Sequence, residues 1–385
     1  MKILMDAPTK INGGLTTHTN GIFQAALINP DINILGIDFS RDVLKPQTIS
    51  KGAAGKIITY PLPEDFFKRL YYENSLKAFT AKMKNKINIF ESNIISFKPD
   101  LIMINGTTWK QFALFCAAKK FNIPVIQYHG SCITNETKHY PKYVQETIKK
   151  IECSYMHPVV KMRIFPSQII KTTLEDQVWK KKSINSIIIH SGVRISEMKI
   201  NPGAGNYSVG MVCRWSPEKN PNYIVELADF NRKKNGPLTF NIVSELEANH
   251  SNYEKASESC IVFTPMAYDL LVDFYRNCSV IICPSLFETY GRVPLEAVAH
   301  GVPALVSHNM GVAEVYKKVG LADLIVDFND VNSVYKKIIS LKNYQIPREI
   351  VNEIRQYYSE ERVYGEYMEL FRSVANHSLA FGLGL

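Results

Sequence analysis

The sequence contains no long hydrophobic run, and nowhere approaches the roughly 20 consecutive apolar residues that a membrane-spanning helix needs. It also lacks a signal-peptide pattern, because Met1 and Lys2 lead straight into a short apolar segment. We therefore expect a cytoplasmic protein. The apolar share of 46% and the charged share of 21% are typical of a globular protein, and 385 residues favour two domains over one.

Cysteine is sparse and scattered, with seven residues and no C-x-x-C pair. Several of the cysteines lie inside apolar runs, so we expect buried thiols in a reducing compartment. The pattern indicates neither a disulfide framework nor a zinc site. The seven are Cys116, Cys132, Cys153, Cys213, Cys260, Cys278 and Cys283.

Acidic residues are outnumbered, and the formal net charge is +9. This excess favours anionic partners such as phosphates, nucleic acid or an anionic membrane surface, without choosing among them. The basic residues are not gathered into a recognisable DNA or RNA motif, and no aromatic-basic run of the RNP kind occurs. A non-catalytic nucleic-acid-binding protein is therefore a weak alternative, and we expect no nucleic-acid partner.

Apolar segments that suit strands alternate with helical segments along the whole chain. This alternation predicts an α/β fold with parallel, doubly wound sheets. A short polar stretch at 203–207, preceded by Pro202, indicates a linker, so we predict domains at 1–202 and 207–350, followed by helices over 351–385. Strands are predicted at 2–5, 34–37, 56–60, 101–105, 125–129, 164–167, 187–189, 208–213, 238–243, 260–264, 280–283, 304–307 and 324–326.

The stretch VIICPSLFETYGRVPLE, residues 280–296, predicts a buried strand, a loop and the start of a helix. Gly301 and Pro303 end that helix. Two carboxylates lie in this unit, Glu288 in the loop and Glu296 in the helix. A strand that delivers a polar loop to a helix N-terminus presents ligand sites in α/β proteins, although a loop carboxylate and a solvated helix residue would be equally ordinary.

The longer run PSLFETYGRVPLEAVAHGVPALVS, residues 284–307, resembles the donor-site signature of family 4 retaining glycosyltransferases. That signature has a Pro-Ser loop, a Glu, an aromatic residue followed by Gly, a Glu-Ala eight positions after the first Glu, and a Gly-x-Pro ending. The resemblance implies the GT-B fold, in which two Rossmann-like domains face each other across a cleft. It also implies that the last helix crosses back to the first domain.

In the second half, the resemblance assigns the donor diphosphate to Arg214 and Lys219, five positions apart after a predicted strand. An Arg fork and a mobile Lys charge both suit phosphate oxygens. The resemblance further implies that Glu296 accepts hydrogen bonds from ribose hydroxyls and that Glu288 lies beside the donor sugar. The sugar is held by the backbone amides of Thr289, Tyr290, Gly291 and Arg292.

In the first half, Gly13 and Gly14 form a glycine turn between the first strand and the first helix, which lets a backbone approach a phosphate or sugar. An ordinary tight turn would have the same residues. His129 and Gly130 at a strand exit resemble the family's His-Gly, whose His contacts the donor sugar.

Many other glycosyltransferases hold a divalent metal with an Asp-x-Asp motif, and this sequence has none. The resemblance accordingly implies a metal-independent enzyme without a cofactor, in which protein cations replace the metal. The family retains anomeric configuration through front-face attack, with the leaving phosphate taking the acceptor proton. Glu288 and His129 are then electrostatic and positioning groups rather than strong bases.

The expected partners are a UDP- or GDP-sugar donor, carrying a hexose-type sugar, and a glycan or lipid-linked acceptor of polysaccharide or glycoconjugate biosynthesis. Residues 66–90 suggest a basic, aromatic-rich helix that could contact an anionic membrane peripherally, while a core helix with a solvated Lys face has the same pattern. A nucleotide-sugar 2-epimerase of the same fold is the alternative enzyme. Pro265 and Arg292 depart from the family pattern and leave base and sugar identity open.

Overall fold

The structure is a computed structural model that describes residues 1–9, 14–67, 70–73, 75–138, 140–196, 207–246 and 251–382. The chain divides into two compact units. The first comprises Met1–His190 and Val363–Leu385, and the second comprises Ser191–Arg362. Gly13 and residues 203–206 of the predicted linker lie outside the described residues.

The first unit contains an eight-stranded sheet in the order β3-β4-β2-β1-β5-β6-β7-β8. Every neighbouring pair is parallel except β3 and β4, which are antiparallel. The strands are β1 (Lys2–Asp6), β2 (Asn33–Ser40), β3 (Gln47–Ser50), β4 (Gly55–Pro61), β5 (Leu101–Asn105), β6 (Val125–Tyr128), β7 (Val160–Phe165) and β8 (Ser186–Ile188).

The helices of this unit follow its strands in the chain. They are α1 (Gly14–Leu27), α2 (Leu76–Lys82), α3 (Lys84–Phe97), α4 (Trp109–Phe121), α5 (Ile133–Glu136), α6 (Lys142–Ser154) and α7 (Gln168–Thr172). Short 3-10 and π-helical segments occupy Gly52–Ala54 and Thr173–Trp179.

The second unit contains a six-stranded parallel sheet in the order β11-β10-β9-β12-β13-β14. Its strands are β9 (Ser208–Val212), β10 (Thr239–Val243), β11 (Ile261–Phe263), β12 (Val280–Cys283), β13 (Ala304–Ser307) and β14 (Ile325–Val326). The helices, in chain order, are α8 (Asn222–Lys233), α9 (Tyr253–Ser257), α10 (Tyr268–Arg276), α11 (Arg292–Ala299), α12 (Ala313–Lys318), α13 (Val331–Ser340) and α14 (Arg348–Tyr357). The last helix, α15 (Glu360–Gly382), begins in the second unit and belongs to the first unit from Val363 onward.

The central strands are buried on both faces. Ile3, Leu4 and Met5 of β1 are fully buried, and so are Val280, Ile281 and Ile282 of β12. Strands of a parallel sheet covered by helices on both sides need apolar residues at successive positions, which is why these runs do not alternate. The predicted α/β fold with two parallel-sheet domains is confirmed.

The predicted helix over 66–90 is wrong in its first part. The helical structure begins only at Leu76, where the Ser75 side chain accepts a hydrogen bond from the Ala78 amide at 3.2 Å and caps α2. The aromatic residues before it form turns, and the ring of Phe66 packs on Trp109 with centroids 4.6 Å apart. Tertiary packing of aromatic side chains therefore replaced the amphipathic helix that their spacing suggested.

Strand β3 was not predicted, because all four of its residues are exposed and the sequence QTIS has no buried-face pattern. It pairs antiparallel with β4 at the edge of the sheet. Of the helices that the structure describes, none is both long and apolar enough to cross a bilayer.

Candidate active site

The loop after β12 is fastened to a neighbouring segment by main-chain hydrogen bonds. The Glu288 amide donates to the Asn309 carbonyl at 3.2 Å, and the Glu288 carbonyl accepts from the Gly311 amide at 3.0 Å. The Val312 amide donates to the Tyr290 carbonyl at 2.7 Å. The backbone that carries Glu288 is therefore fixed on both sides, and only its side chain can be redirected.

Gly291 makes the turn from this loop into α11 possible. Its φ of +100° lies in the region that favours glycine, and a Cβ at this position would lie 2.6 Å from Met310 Cε. The missing side chain leaves bare backbone beside Glu288, since the same Cβ would lie 3.5 Å from Glu288 Oε2. The helix that begins at Arg292 presents its first amides at this point.

Lys219 and Glu288 meet directly. The distance from Lys219 Nζ to Glu288 Oε1 is 2.5 Å, and the two side chains are 19% and 21% exposed. Ser285 Oγ donates to Glu288 Oε2 at 3.3 Å. Lys219 ends the 3-10 turn Pro217–Lys219, which is joined to the Glu288 loop because the Leu286 amide donates to the Glu218 carbonyl at 2.9 Å.

Arg214 lies on the same connection after β9 but is more open to solvent. Its guanidinium NH2 is 3.5 Å from Glu218 Oε1, and the Arg214 and Glu218 side chains are 61% and 36% exposed. Ser216 Oγ donates to the same Glu218 oxygen at 2.6 Å. Both predicted phosphate cations thus come from one segment, and each has a carboxylate beside it.

Glu296 is almost fully buried, with 7% of its surface exposed. Tyr275 OH donates to Glu296 Oε2 at 3.1 Å, and the Arg292 guanidinium NH2 is 3.6 Å from Oε1. The same Arg292 nitrogen lies 2.6 Å from Glu360 Oε1. Burial raises the pKa of the Glu296 carboxyl, and the nearby charge of Arg292 opposes that rise.

Thr289 and Tyr290 lie between the two carboxylates in the chain. The Tyr290 side chain is only 3% exposed and packs in the core of the second unit, while Thr289 is half-buried. Tyr290 can therefore offer a ligand its backbone rather than its ring. This agrees with a role for amides, not side chains, at this part of the loop.

The two predicted site residues of the first unit that the structure describes differ in exposure. Gly14 begins α1 and is exposed, and a Cβ added there would meet nothing within 4 Å. The ring of His129 is fully buried, stacked on Phe165 with centroids 4.9 Å apart and edge-on to Trp179 at 5.2 Å. Burial and the charge of Arg163 hold the pKa of His129 well below its usual range, so the imidazole is neutral.

Sequence analysis missed a buried polar cluster at the carboxyl ends of β1 and β5. Asp6 Oδ1 accepts from the Asn105 amide at 2.7 Å, and Asp6 Oδ2 accepts from Gln111 Nε2 at 2.5 Å. Burial raises the pKa of Asp6 to about 6, with the charge of Lys110 opposing the rise. The available signal was a polar residue at the end of an apolar strand, at Asp6 and at Asn105.

Glu152 was also missed, since a lone Glu near the end of an amphipathic helix is not distinctive. Its Oε1 accepts from the Ile133 amide at 2.9 Å and from Thr107 Oγ1 at 3.2 Å. Its Oε2 accepts from the Thr134 amide at 3.1 Å and from the Thr134 hydroxyl. One buried carboxylate thus holds the loops that follow β5 and β6.

The described residues include no group of three or more His, Cys, Asp or Glu side chains arranged to hold a metal ion. All seven cysteines are free thiols, and each is buried or half-buried. Burial raises the pKa of Cys116, Cys213, Cys260 and Cys278 to about 12, so these thiols are not nucleophiles at neutral pH.

Comparison with known proteins yields a family match for part of the chain and a shared fold for nearly all of it. Residues 195–359 match the family model described as glycosyl transferases group 1, and this range contains Arg214, Lys219, Glu288 and Glu296. An uncharacterized glycosyltransferase of Methanocaldococcus jannaschii is 24% identical over 253 residues, which cover 63% of this chain and 65% of that protein. The alignment thus spans just under two thirds of the relative's length.

An uncharacterized 42.6 kDa protein in the cps region of Klebsiella pneumoniae is 21% identical over 298 residues, which cover 74% of each chain. Among solved structures, sucrose-phosphate synthase from Thermosynechococcus elongatus superposes with a TM-score of 0.73 at 15% identity, covering 97% of this chain and 98% of that one. At this identity the likeness shows the fold alone. The family model thus matches less than half of the chain, within the second unit, and the chain shares the GT-B fold of that synthase.

Proposed function

We propose that the protein transfers a hexose-type sugar from a nucleotide diphosphate sugar to a hydroxyl group of an acceptor, with retention of anomeric configuration. The observation that carries this proposal is the meeting of Lys219 and Glu288 at 2.5 Å, within the region matched by the family model. A cation for phosphate and a carboxylate for sugar hydroxyls lie side by side there, as binding of a sugar joined to a diphosphate requires.

The reaction breaks the bond between the anomeric carbon and the β-phosphate. Its transition state combines an oxocarbenium-like sugar with a departing diphosphate, and the phosphate charge must be stabilised. Lys219, Arg214 and the first amides of α11 supply preorganised positive charge, and each well-placed donor of this kind contributes about 3 kcal/mol to lowering the barrier.

We propose that this chemistry needs no metal ion or cofactor. Two cations from one connection, with the helix N-terminus at Arg292, perform the task that a divalent metal performs elsewhere. The leaving phosphate itself takes the acceptor proton, so no side chain has to act as a strong base. Glu288 then positions the sugar through its hydroxyl groups.

Glu296 suits the ribose hydroxyls, because an ionised carboxylate accepts two hydrogen bonds from a vicinal diol. Its burial makes protonation easier, and the charge of Arg292 helps to keep it ionised. The roles of Gly13, Gly14 and His129 remain predictions from the family resemblance. For His129 the enclosed, neutral ring favours a positioning role through the loop that begins at Gly130.

The donor that we propose is a UDP- or GDP-sugar, and the acceptor is a glycan or a lipid-linked saccharide of polysaccharide or glycoconjugate biosynthesis. A relative described as lying in a cps region supports the biosynthetic context only loosely. The choice of base and sugar rests with the loop after β11, where Pro265 departs from the usual glycine, and with Arg292.

We also propose that α2 and α3 contact an anionic membrane surface. A groove of about 590 Å³ is lined by Leu76, Lys77, Thr80, Ala81, Lys84 and Ile87, so apolar and cationic side chains share one face. Sedimentation with vesicles rich in anionic lipid should recover the protein, and the Lys77→Glu/Lys84→Glu variant should stay in solution. Lys336→Glu, which changes an exposed lysine of the second unit, serves as the matched control.

Thermal-shift measurements against UDP, GDP, ADP and their sugars test the central proposal. A ligand at 100 times its dissociation constant stabilises the native state by about 2.7 kcal/mol, and the matching nucleotide should raise the melting temperature accordingly. NMR of the bound sugar with and without an acceptor then follows the anomeric carbon. Conversion that proceeds without an acceptor and inverts C2 would identify an epimerase and overturn the proposal.

A further inference from the structure

Each of the two cations assigned to the donor diphosphate has a carboxylate partner, but the two pairs differ. Lys219 and Glu288 are 2.5 Å apart and about one-fifth exposed. Arg214 and Glu218 are 3.5 Å apart and much more exposed. A diphosphate that takes over both cations therefore has to separate one close, partly desolvated pair and one loose, solvated pair.

The Glu288 carboxylate cannot retreat far once it loses Lys219. Its backbone is held on both sides, through the Asn309 carbonyl and the Gly311 amide, so the side chain stays beside Lys219 and any phosphate bound there. Ser285 Oγ, at 3.3 Å from Glu288 Oε2, is a neutral donor that does not replace the charge of Lys219. A displaced Glu288 therefore loses its cationic partner and lies close to negative charge, which raises the free energy of the complex.

A donor sugar removes this problem. The Glu288 side chain is 21% exposed, so sugar hydroxyl groups can reach its carboxylate from solvent and donate hydrogen bonds to it. A free nucleoside diphosphate has no such groups at that position. Only the sugar-bearing molecule satisfies both partners of the broken pair.

We propose that the Lys219–Glu288 pair discriminates between the sugar nucleotide and the free nucleoside diphosphate, favouring the donor and weakening binding of the product. After transfer, Glu288 recaptures Lys219 and promotes release of the diphosphate. This inference rests on the proposed function, because it takes the ligand to be a nucleotide diphosphate sugar. It assigns Glu288 a role in substrate-product selectivity in addition to sugar positioning.

Isothermal titration of each nucleoside diphosphate, and of its glucose or mannose conjugate, into Glu288→Gln tests the inference. The free diphosphate should bind the variant about two- to fivefold more tightly than it binds the wild type, because the side chain at position 288 no longer competes for Lys219 with a negative charge. The sugar nucleotide should bind about tenfold more weakly, because the amide is a poorer acceptor for hydroxyl groups. The two affinities therefore move in opposite directions, which misfolding cannot produce.

Glu218→Gln is the matched control, since it also removes a carboxylate from a phosphate cation but at the exposed Arg214 pair. Both ligands should bind it slightly more tightly, and their affinity ratio should stay within about twofold of the wild-type ratio. An unchanged ratio in Glu288→Gln, or equal weakening of both ligands, overturns the inference. Failure of every nucleotide and sugar nucleotide to bind the wild type would instead remove the proposed function, and the inference with it.

Discussion

Tyr275 donates its hydroxyl hydrogen to Glu296 at 3.1 Å, so a side chain of α10 supports the carboxylate of α11 from within the core. Both residues are buried, and burial raises the pKa of each above its usual value. A buried carboxylate without donors is costly, and this hydrogen bond with the charge of Arg292 limits the cost. The ribose-binding role proposed for Glu296 thus depends on residues outside the signature.

Tyr275→Phe should therefore destabilise the fold by about 2 kcal/mol, since it removes a hydrogen bond to a charged group and leaves the ring in place. Tyr316→Phe is the control, because the equally buried Tyr316 donates to a neutral acceptor, the Pro294 carbonyl, at 3.3 Å. That change should cost about 1 kcal/mol. Urea unfolding at pH 8 measures both, and an equal loss in the two variants would contradict ionisation of Glu296.

The free energy of unfolding should also decrease as pH rises, because of Glu152. Burial raises its pKa to about 7 from 4.5, despite hydrogen bonds from Thr134 and Ile133. The folded protein keeps a proton that the unfolded chain releases, so the contribution is complete below pH 4.5 and is lost as pH rises through 7. The difference between the folded and unfolded pKa values of Glu152 corresponds to about 3 kcal/mol of unfolding free energy.

Glu152→Gln should lower stability at pH 5, because the NH2 group of the new amide faces the Thr134 donors. The variant should also lose less stability than the wild type between pH 5 and 8, because it has no carboxyl to titrate. Glu175→Gln is the control. Burial of the Glu175 carboxyl tends to raise its pKa, but hydrogen bonds from Ser183 outweigh burial and lower the pKa overall. The contribution of Glu175 to stability is therefore lost only as pH falls. Urea midpoints across this range test the assignment, and a wild-type slope in Glu152→Gln would exclude it.

Two glycine substitutions should have opposite effects. Gly291→Ala combines a φ of +100° with a Cβ only 2.6 Å from Met310 Cε, and should cost about 1–3 kcal/mol of stability. Gly365→Ala lies within α15 with nothing within 4 Å of the new Cβ, and should gain about 1 kcal/mol from helix propensity. Thermal melting of both proteins tests this contrast, and stabilisation by Gly291→Ala would refute the conformational argument.

The sequence was most informative where local patterns determine structure. Strand β12 has the bounds predicted, and the loop and helix after it carry Glu288 and Glu296 as expected. Such unbroken apolar runs are distinctive because a sheet covered on both faces requires them. The turn with Lys219 was likewise marked by its Pro and by the strand before it.

Contacts between distant parts of the chain could not be predicted. Nothing in the sequence connects Arg292 to Glu360, 68 positions away, or shows that Lys219 pairs with Glu288. The enclosure of His129 depends on Phe165 and Trp179, which packing brings together from two later elements. Site residues were therefore predictable by type and position, while their protonation and partners required the fold.

The last prediction concerns Lys110 and Asp38, a buried pair in the first unit. Lys110 Nζ lies 2.6 Å from Asp38 Oδ1, and the side chains are 11% and 7% exposed. Asp38 Oδ2 also accepts hydrogen bonds from Thr9, at 2.7 Å from the amide and 2.6 Å from the hydroxyl. The pair thus holds Thr9, which follows β1 in the chain.

Lys110→Met should cost about 3–5 kcal/mol, because it leaves the buried Asp38 charge without its cation. It should also raise the pKa of Asp6 further above about 6, since Lys110 is the charge that opposes that rise. Lys110→Met/Asp38→Asn should recover part of the stability, because it removes both charges of the pair and the Asn side-chain oxygen can still accept from Thr9. Urea unfolding of the single and double variants measures the coupling, and strictly additive losses would show that the pair contributes nothing as a pair.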